Sequence, residues 1–177
     1  MLKKILIGLV ALLAIILIVA SLQPAEFKIS RSIVINAPAA KIFGHINDVK
    51  LYQAWNPFAK MDPNMSMSYS GPSAGMGAAC SWDSHADAGA GTMTVTTSEA
   101  PSHVVMRLDF VRPMKSLAEA DFSLSSQGKA TQVTWTMSGK NNLIAKTFHL
   151  FMDMDKMLGG YFEQGLASLK TIVETEK

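Results

Sequence analysis

A single cysteine, Cys80, stands in the whole chain, so no intramolecular disulfide framework holds it together. A lone cysteine of this kind behaves as a small hydrophobe in any compartment. Charge is sparse as well. With Lys3 and Lys4 set aside, 14 basic residues face 14 acidic ones, and no basic run occurs anywhere. Nucleic-acid binding needs a cationic footprint, and its absence excludes that class. No repeat or low-complexity tract interrupts the sequence. What is present is 177 residues, enough for one domain with an appendage and long enough to bury a core unaided.

The appendage is at the start. Residues 5–22 read ILIGLVALLAIILIVASL, an apolar run without a charge. At about 1.5 Å per residue it spans roughly 27 Å, close to the hydrocarbon thickness of a bilayer. Lys3 and Lys4 precede it, and the positive-inside rule keeps that end in the cytoplasm. The alternative is a cleaved signal peptide, whose apolar region is shorter and ends in a small-x-small site. Ala20 has Ile18 two positions before it and Ala25 has Gln23, so neither offers that site. The expectation is a retained single-pass anchor, residues 1–24, in the inner (cytoplasmic) membrane, followed by a domain at 25–177. Anchor or signal, the expectation is that residues 26 onward lie outside the cytoplasm, which is the periplasm if the source is a Gram-negative bacterium. Gly8 is the only glycine of the run, so it carries no G-x-x-x-G pairing face.

Past Gln23-Pro24 the periodicity changes. Phe27, Ile29, Ile33 and Ile35 alternate with Lys28, Ser30 and Ser32, a half-buried strand whose apolar face Arg31 interrupts. Pro38 suits a first helical turn and Asn36 is placed to cap it. Residues 39–46 then put Ile42, Phe43 and Ile46 on one side, and a short second helix spans 49–55. From 65 to 138 the pattern is strand after strand, with turn residues between almost every pair, as in an antiparallel meander. From 143 to about 174, Ile144, Phe148, Phe151, Leu158, Phe162, Leu166, Leu169 and Val173 recur every three or four residues. This predicts one helix of roughly 45 Å covering the sheet, kinked or divided at Gly159-Gly160.

Several short stretches carry a resemblance. They are residues 31–38 (RSIVINAP), 46–48 (IND), 55–57 (WNP), Asp62-Pro63, 69–72 (YSGP), Gly75-Met76-Gly77, Ser81-Trp82, Gly89-Ala90-Gly91, 131–139 (TQVTWTMSG) and 165–170 (GLASLK). In that order they resemble the START/Bet v 1-like (SRPBCC) superfamily, in its bacterial polyketide cyclase/dehydrase-type branch, over essentially everything after the anchor. The resemblance implies an α+β helix-grip fold: a curved antiparallel sheet of about seven strands gripping the C-terminal helix around a cavity. The superfamily holds lipid carriers, receptors, cyclases and co-chaperones on one scaffold, so the fold does not give the function.

The side chains assigned to the inner faces are large and apolar, and they are the candidate ligand-binding set. They comprise Tyr69, Trp82, Met93, Met106, Phe110, Phe122, Trp135 and Met137 on strands and Phe148 and Phe162 on the helix, with Trp55 at the mouth. Plain core filling is the alternative for each of them. Arg31 on an apolar face requires a carboxylate or a ligand oxygen, unless its head reaches water at a sheet edge. Arg107 and Asp109, two apart on a wet face, read as a surface pair. His45 reads as a surface or capping residue. His85 and Asp87 form H-x-D without an evident third ligand, so no metal is assigned. Met65, Met67, Met152, Met154 and Met157 suit Cu(I) by softness, but on a helix Met152 and Met154 point apart. Gly75-Met76-Gly77 and Gly89-Ala90-Gly91 lead into strands and are not nucleotide loops.

No nucleophile stands in a recognisable catalytic setting and no cofactor is implied. The leading expectation is membrane-anchored, non-catalytic binding of a hydrophobic small molecule or lipid in an internal cavity, with the membrane engaged through residues 5–22. A cyclase/dehydrase-type enzyme is the second expectation, with Arg31, Tyr69 and His149 as its proton-transfer candidates. An interaction module for an unidentified membrane partner is the third.

Overall fold

Strict alternation along the middle of the chain builds seven strands, and the computed structural model, which describes residues 2–85 and 88–176, closes them into one antiparallel sheet. The elements follow as α1 (Leu2–Ser21), β1 (Glu26–Ile35), α2 (Ala39–Asn47), α3 (Val49–Trp55), a 3₁₀ turn (Pro57–Lys60), β2 (Ser66–Ser70), β3 (Ala79–Asp83), β4 (Ala90–Glu99), β5 (His103–Arg112), β6 (Ser116–Gln127), β7 (Ala130–Lys140), α4 (Leu143–His149) and α5 (Met154–Thr175). The spatial order is β1-β7-β6-β5-β4-β3-β2, so β2 to β7 run as a meander and β1 closes on β7. The α+β helix-grip arrangement is therefore present. Helix α5 lies along β1 and β7, while α2 and α3 cover β3, β5 and β6.

The register stacks inner side chains in rows. One row is Arg31, Trp135, Phe122 and Val104; the next toward the start of β1 is Ile29, Met137, Ala120, Met106 and Val95. A third is Phe27, Gly139, Ala118, Leu108, Met93, Cys80 and Tyr69. The first two rows meet Phe162, Leu166 and Leu169 of α5 in the core. The third contains Gly139 and Ala118, so the floor drops at that end of the sheet.

Three helix starts are capped by side chains. Asp48 caps α3, Asn142 caps α4 and Asp153 caps α5 through their carboxylate or amide oxygens. Lys41 Nζ donates to the Val173 and Glu176 carbonyls at the far end of α5, 2.8 and 2.5 Å away.

Local departures from the sequence reading are informative. The C-terminal helix is two helices, and the division falls at residues 150–153, where the Asp153 cap starts a new helix; α5 continues unbroken through Gly159-Gly160. Pro38 itself occupies the N-cap of α2 with no side-chain cap, and the backbone N–H of Asn36 donates to Glu174 instead. His45 is buried, not on the surface, and its Nε2 lies 2.9 Å from Glu176 Oε2. Arg107 and Asp109 pair on the outer face at 2.8 Å as expected.

Candidate functional site

The centre of the grip is filled. Trp55 and Phe162 are fully buried, with Phe122 and Trp135 beside them, and Tyr52 and Phe58, absent from the sequence candidates, complete the cluster. Trp135 and Phe162 stack with centroids 4.2 Å apart and 16° between planes, and Trp55 meets Trp135 edge-on at 5.7 Å. The Trp55 indole N–H donates to the His45 carbonyl at 3.0 Å, which makes Trp55 a packed anchor rather than a mouth residue. Met93, Met106 and Met137 are buried in the same core. Among the described residues the Trp135 indole N–H is buried without a hydrogen-bond partner, a cost the surrounding ring contacts must offset.

Two hollows lie instead at the open end of the sheet, where β1 begins. The larger, about 1120 Å³, is lined by Phe27, Phe110, Ala118, Leu117 and Gly139, together with Lys28, Arg107, Lys115, Glu119 and Lys140. Its lining combines the inner-face residues Phe27, Ala118 and Gly139 with the outer-face row Lys28, Ser138, Glu119 and Arg107, so the hollow wraps around the end of the sheet. The Phe27 ring lies over Gly139, where a Cβ would come within 2.7 Å of it. Trp82 stands against Phe110 edge-on at 5.5 Å, and its indole N–H donates to the Ala88 carbonyl. The smaller hollow, about 590 Å³, separates Phe27, Lys28 and Ile29 of β1 from residues 149–155 between α4 and α5. Both are open to solvent.

Of the outcomes open to Arg31 on the edge strand β1, the structure shows pairing with carboxylates. Its guanidinium donates to Asp155 at 2.8 and 3.1 Å, to Glu163 at 2.9 Å, and to the carbonyls of Asp155 and Ser30. Both acids raise its pKa, and it in turn holds the Asp155 carboxyl below its ordinary range. Gly159 allows this. A Cβ there would overlap the guanidinium, with Nε 2.7 Å away. The first glycine of the pair is therefore the seat of the Arg31 clamp, not a kink.

The other candidates scatter. Tyr69, read as inward-facing, lies 41 % exposed because β2 is a five-residue edge strand; Lys50 sits over its ring at 5.5 Å. Burial is the main cause raising the Tyr69 phenol and the Cys80 thiol above their ordinary values. Phe148 and Phe151, also read as inward-facing, are 57 % and 71 % exposed, because splitting the helix turns α4 away from the sheet. His149 borders the smaller hollow with Nδ1 3.5 Å from the Asn141 amide. Arg31 and Tyr69 thus occupy opposite edges of a seven-stranded sheet, while His149 lines the smaller hollow together with Asp155, the partner of Arg31. Among the described residues no group of three or more His, Cys, Asp or Glu side chains gathers as a metal site. Of the H-x-D pair, Asp87 lies outside the described residues.

Phe27, Gly139 and Ala118, which border the larger hollow, were not among the sequence candidates. For Gly139 and Ala118 a signal was present: small residues facing inward on central strands mark close approach or a gap.

Comparison with known proteins agrees with the architecture. A family model described as polyketide cyclase/dehydrase and lipid transport matches residues 26–174. The Aha1 dimer from Colwellia psychrerythraea is similar in structure, with 20 % identity, a TM-score of 0.60, and 85 % of this chain and 98 % of that one covered. Protein MLL2253 from Mesorhizobium loti is similar at 13 % identity and a TM-score of 0.61, covering 85 % of this chain and 100 % of its own. CalU16 from Micromonospora echinospora is similar at 13 % identity and 0.55, covering 85 % and 76 %. No curated protein matches in sequence.

Proposed function

The chain belongs to the polyketide cyclase/dehydrase and lipid transport family, and from that premise we propose that it holds a hydrophobic small molecule or lipid without transforming it. In this reading residues 1–24 are a membrane anchor and 25–177 the binding domain, on the extracytoplasmic side. The observation that carries the reading is the larger hollow: about 1120 Å³ at the uncovered end of the sheet, its wall built from Phe27, Phe110, Leu117 and Ala118. That is room for a lipid-sized apolar group, and the charged residues around it, Lys28, Arg107, Lys115 and Lys140 with Glu26, Asp109 and Glu119, offer both signs to a polar head. The centre, where an internal cavity was expected, is occupied by stacked rings, so the ligand sits at the end of the grip rather than in its middle.

The absence of turnover is supported by the fate of the proton-transfer candidates. The Arg31 donors are committed to Asp155 and Glu163, and Tyr69 lies on the opposite edge strand. The membrane reading rests on α1, whose 20 residues make it long and apolar enough to cross a bilayer.

The test is native mass spectrometry of the full chain extracted in mild detergent. A stoichiometric lipid or small-molecule adduct is expected, and it should be lost in Leu117→Glu, which puts a charge on the exposed apolar wall of the hollow. An empty protein that binds no apolar dye, or a Leu117→Glu variant that binds as well as the parent, would overturn the proposal.

A further inference from the structure

Helix α4 has seven residues and buries none of them. Within ten residues it and the following turn expose Leu143, Ile144, Phe148, Phe151 and Met152. A soluble domain rarely shows so dense an apolar cluster without a use for it. Lys140, Lys146 and His149 are the titratable groups of residues 140–152, and no acidic residue occurs there. Apolar side chains beside scattered cations describe an element that lies in a membrane interface.

Its position identifies the surface it meets. Helix α4 packs against α1, and Lys146 Nζ reaches the Ser21 carbonyl at the end of α1, 3.4 Å away. The uncharged part of α1, residues 5–21, rises about 26 Å and is needed in full to cross the hydrocarbon, so Ser21 marks the level where lipid gives way to water. Residues 22–25 join α1 to β1, and four residues reach at most about 14 Å. The domain cannot move away from the leaflet by more than that tether. The end of the sheet held nearest to the leaflet is the one where β1 begins, which is also the end carrying both hollows.

We propose that α4 and the turn after it, through Ile144, Phe148, Phe151 and Met152, insert into the leaflet beside α1 and present the open end of the sheet to the lipid surface. The larger hollow then exchanges its occupant with the leaflet over a path that never crosses bulk water. This rests on reading α1 as a retained anchor and deepens the proposed function by naming the source of the ligand as the adjoining leaflet. The lysines add attraction to anionic headgroups, while the apolar side chains supply the insertion.

The experiment uses the full chain in a Cys80→Ala background, reconstituted in phosphatidylcholine vesicles with and without phosphatidylglycerol. A nitroxide is attached at Ile15→Cys in α1, at Phe151→Cys, or at Ser125→Cys near the opposite end of the sheet. Collision with dissolved oxygen marks lipid, and collision with a water-soluble nickel chelate marks solvent. Oxygen should dominate at positions 15 and 151, and nickel at 125. If 15 lies in lipid and 151 meets nickel freely, the interfacial role of α4 is wrong while the anchor stands. If 15 meets nickel, the anchor reading fails and takes this proposal with it. If 151 is shielded from both reagents, a protein covers the patch and the leaflet does not.

Discussion

Phe162→Ala decides whether the aromatic cluster is a filled core or the wall of a ligand cavity. Phe162 is fully buried, stacks on Trp135 at 4.2 Å, and meets Phe58 edge-on at 6.5 Å. Truncating a buried phenylalanine costs about 3–5 kcal/mol, and an aromatic pair adds about 0.5–1.5 kcal/mol beyond its area. The upper part of that range applies here, because α5 is pinned at both ends and cannot settle into the gap: Arg31 holds Asp155 and Glu163, and Lys41 holds the carbonyls of Val173 and Glu176. For a domain of this size each kcal/mol moves the melting temperature by about 2–4 °C, so a loss of about 4 kcal/mol lowers it by about 8–16 °C. Thermal unfolding of the full chain in detergent, followed by near-UV circular dichroism, measures this. The new void is lined by apolar rings, so benzene should bind it and recover part of the loss. A drop worth less than about 1 kcal/mol, with no response to benzene, would refute the filled-core description.

Three further outcomes follow from local geometry. Gly159→Ala should destabilise, because its Cβ displaces the Arg31 guanidinium, whereas Gly160→Ala, with nothing within 4 Å, should stabilise by about 0.5–1 kcal/mol; equal shifts in paired thermal melts would contradict the clamp. His103 is held above its ordinary 6.5 chiefly by Asp121, 3.1 Å from Nε2, with Glu99 assisting. Its folded pKa is raised, so its stabilising contribution is complete below about 6.5 and fades as pH rises through the higher folded value; Asp121→Asn should flatten that decline in melts and lower the His103 titration midpoint by NMR. Glu176 shows the opposite sign: His45 lowers its pKa from 4.5, so its contribution is present above 4.5 and is lost as pH falls through the folded value, and His45→Gln should remove that acid-side loss.

Legibility differed between elements for physical reasons. Strand positions were plain because alternation has a period of two and each strand has one buried face. The paired helices α2 and α3 were equally plain, since Asp48 both ends one and caps the other. The division between α4 and α5 was not, because residues 150–153 carry no proline or glycine; the apolar spacing runs on through Phe151 while the Asp153 side chain turns to cap a new helix. Gly159-Gly160 looked like a break because helix propensity was the only criterion at hand. It took the guanidinium of Arg31, more than a hundred residues earlier in the chain, to show why the first glycine is there.

By itself the sequence determined the anchor-length apolar helix, the order of strands and helices, and Arg31 as a charge interrupting an apolar face. All of these follow from spacing, hydrophobicity and the cost of burying charge within one stretch of chain. Tertiary structure alone decided which large side chains fill the core and which end of the sheet stays open. Trp135 and Trp82 look alike in sequence, yet one stacks under α5 in the core while the other lies half-buried, edge-on to Phe110. That difference depends on how far α5 reaches along the sheet and on the small residues Gly139 and Ala118 meeting across strands. Periodicity along a single chain carries no information about either.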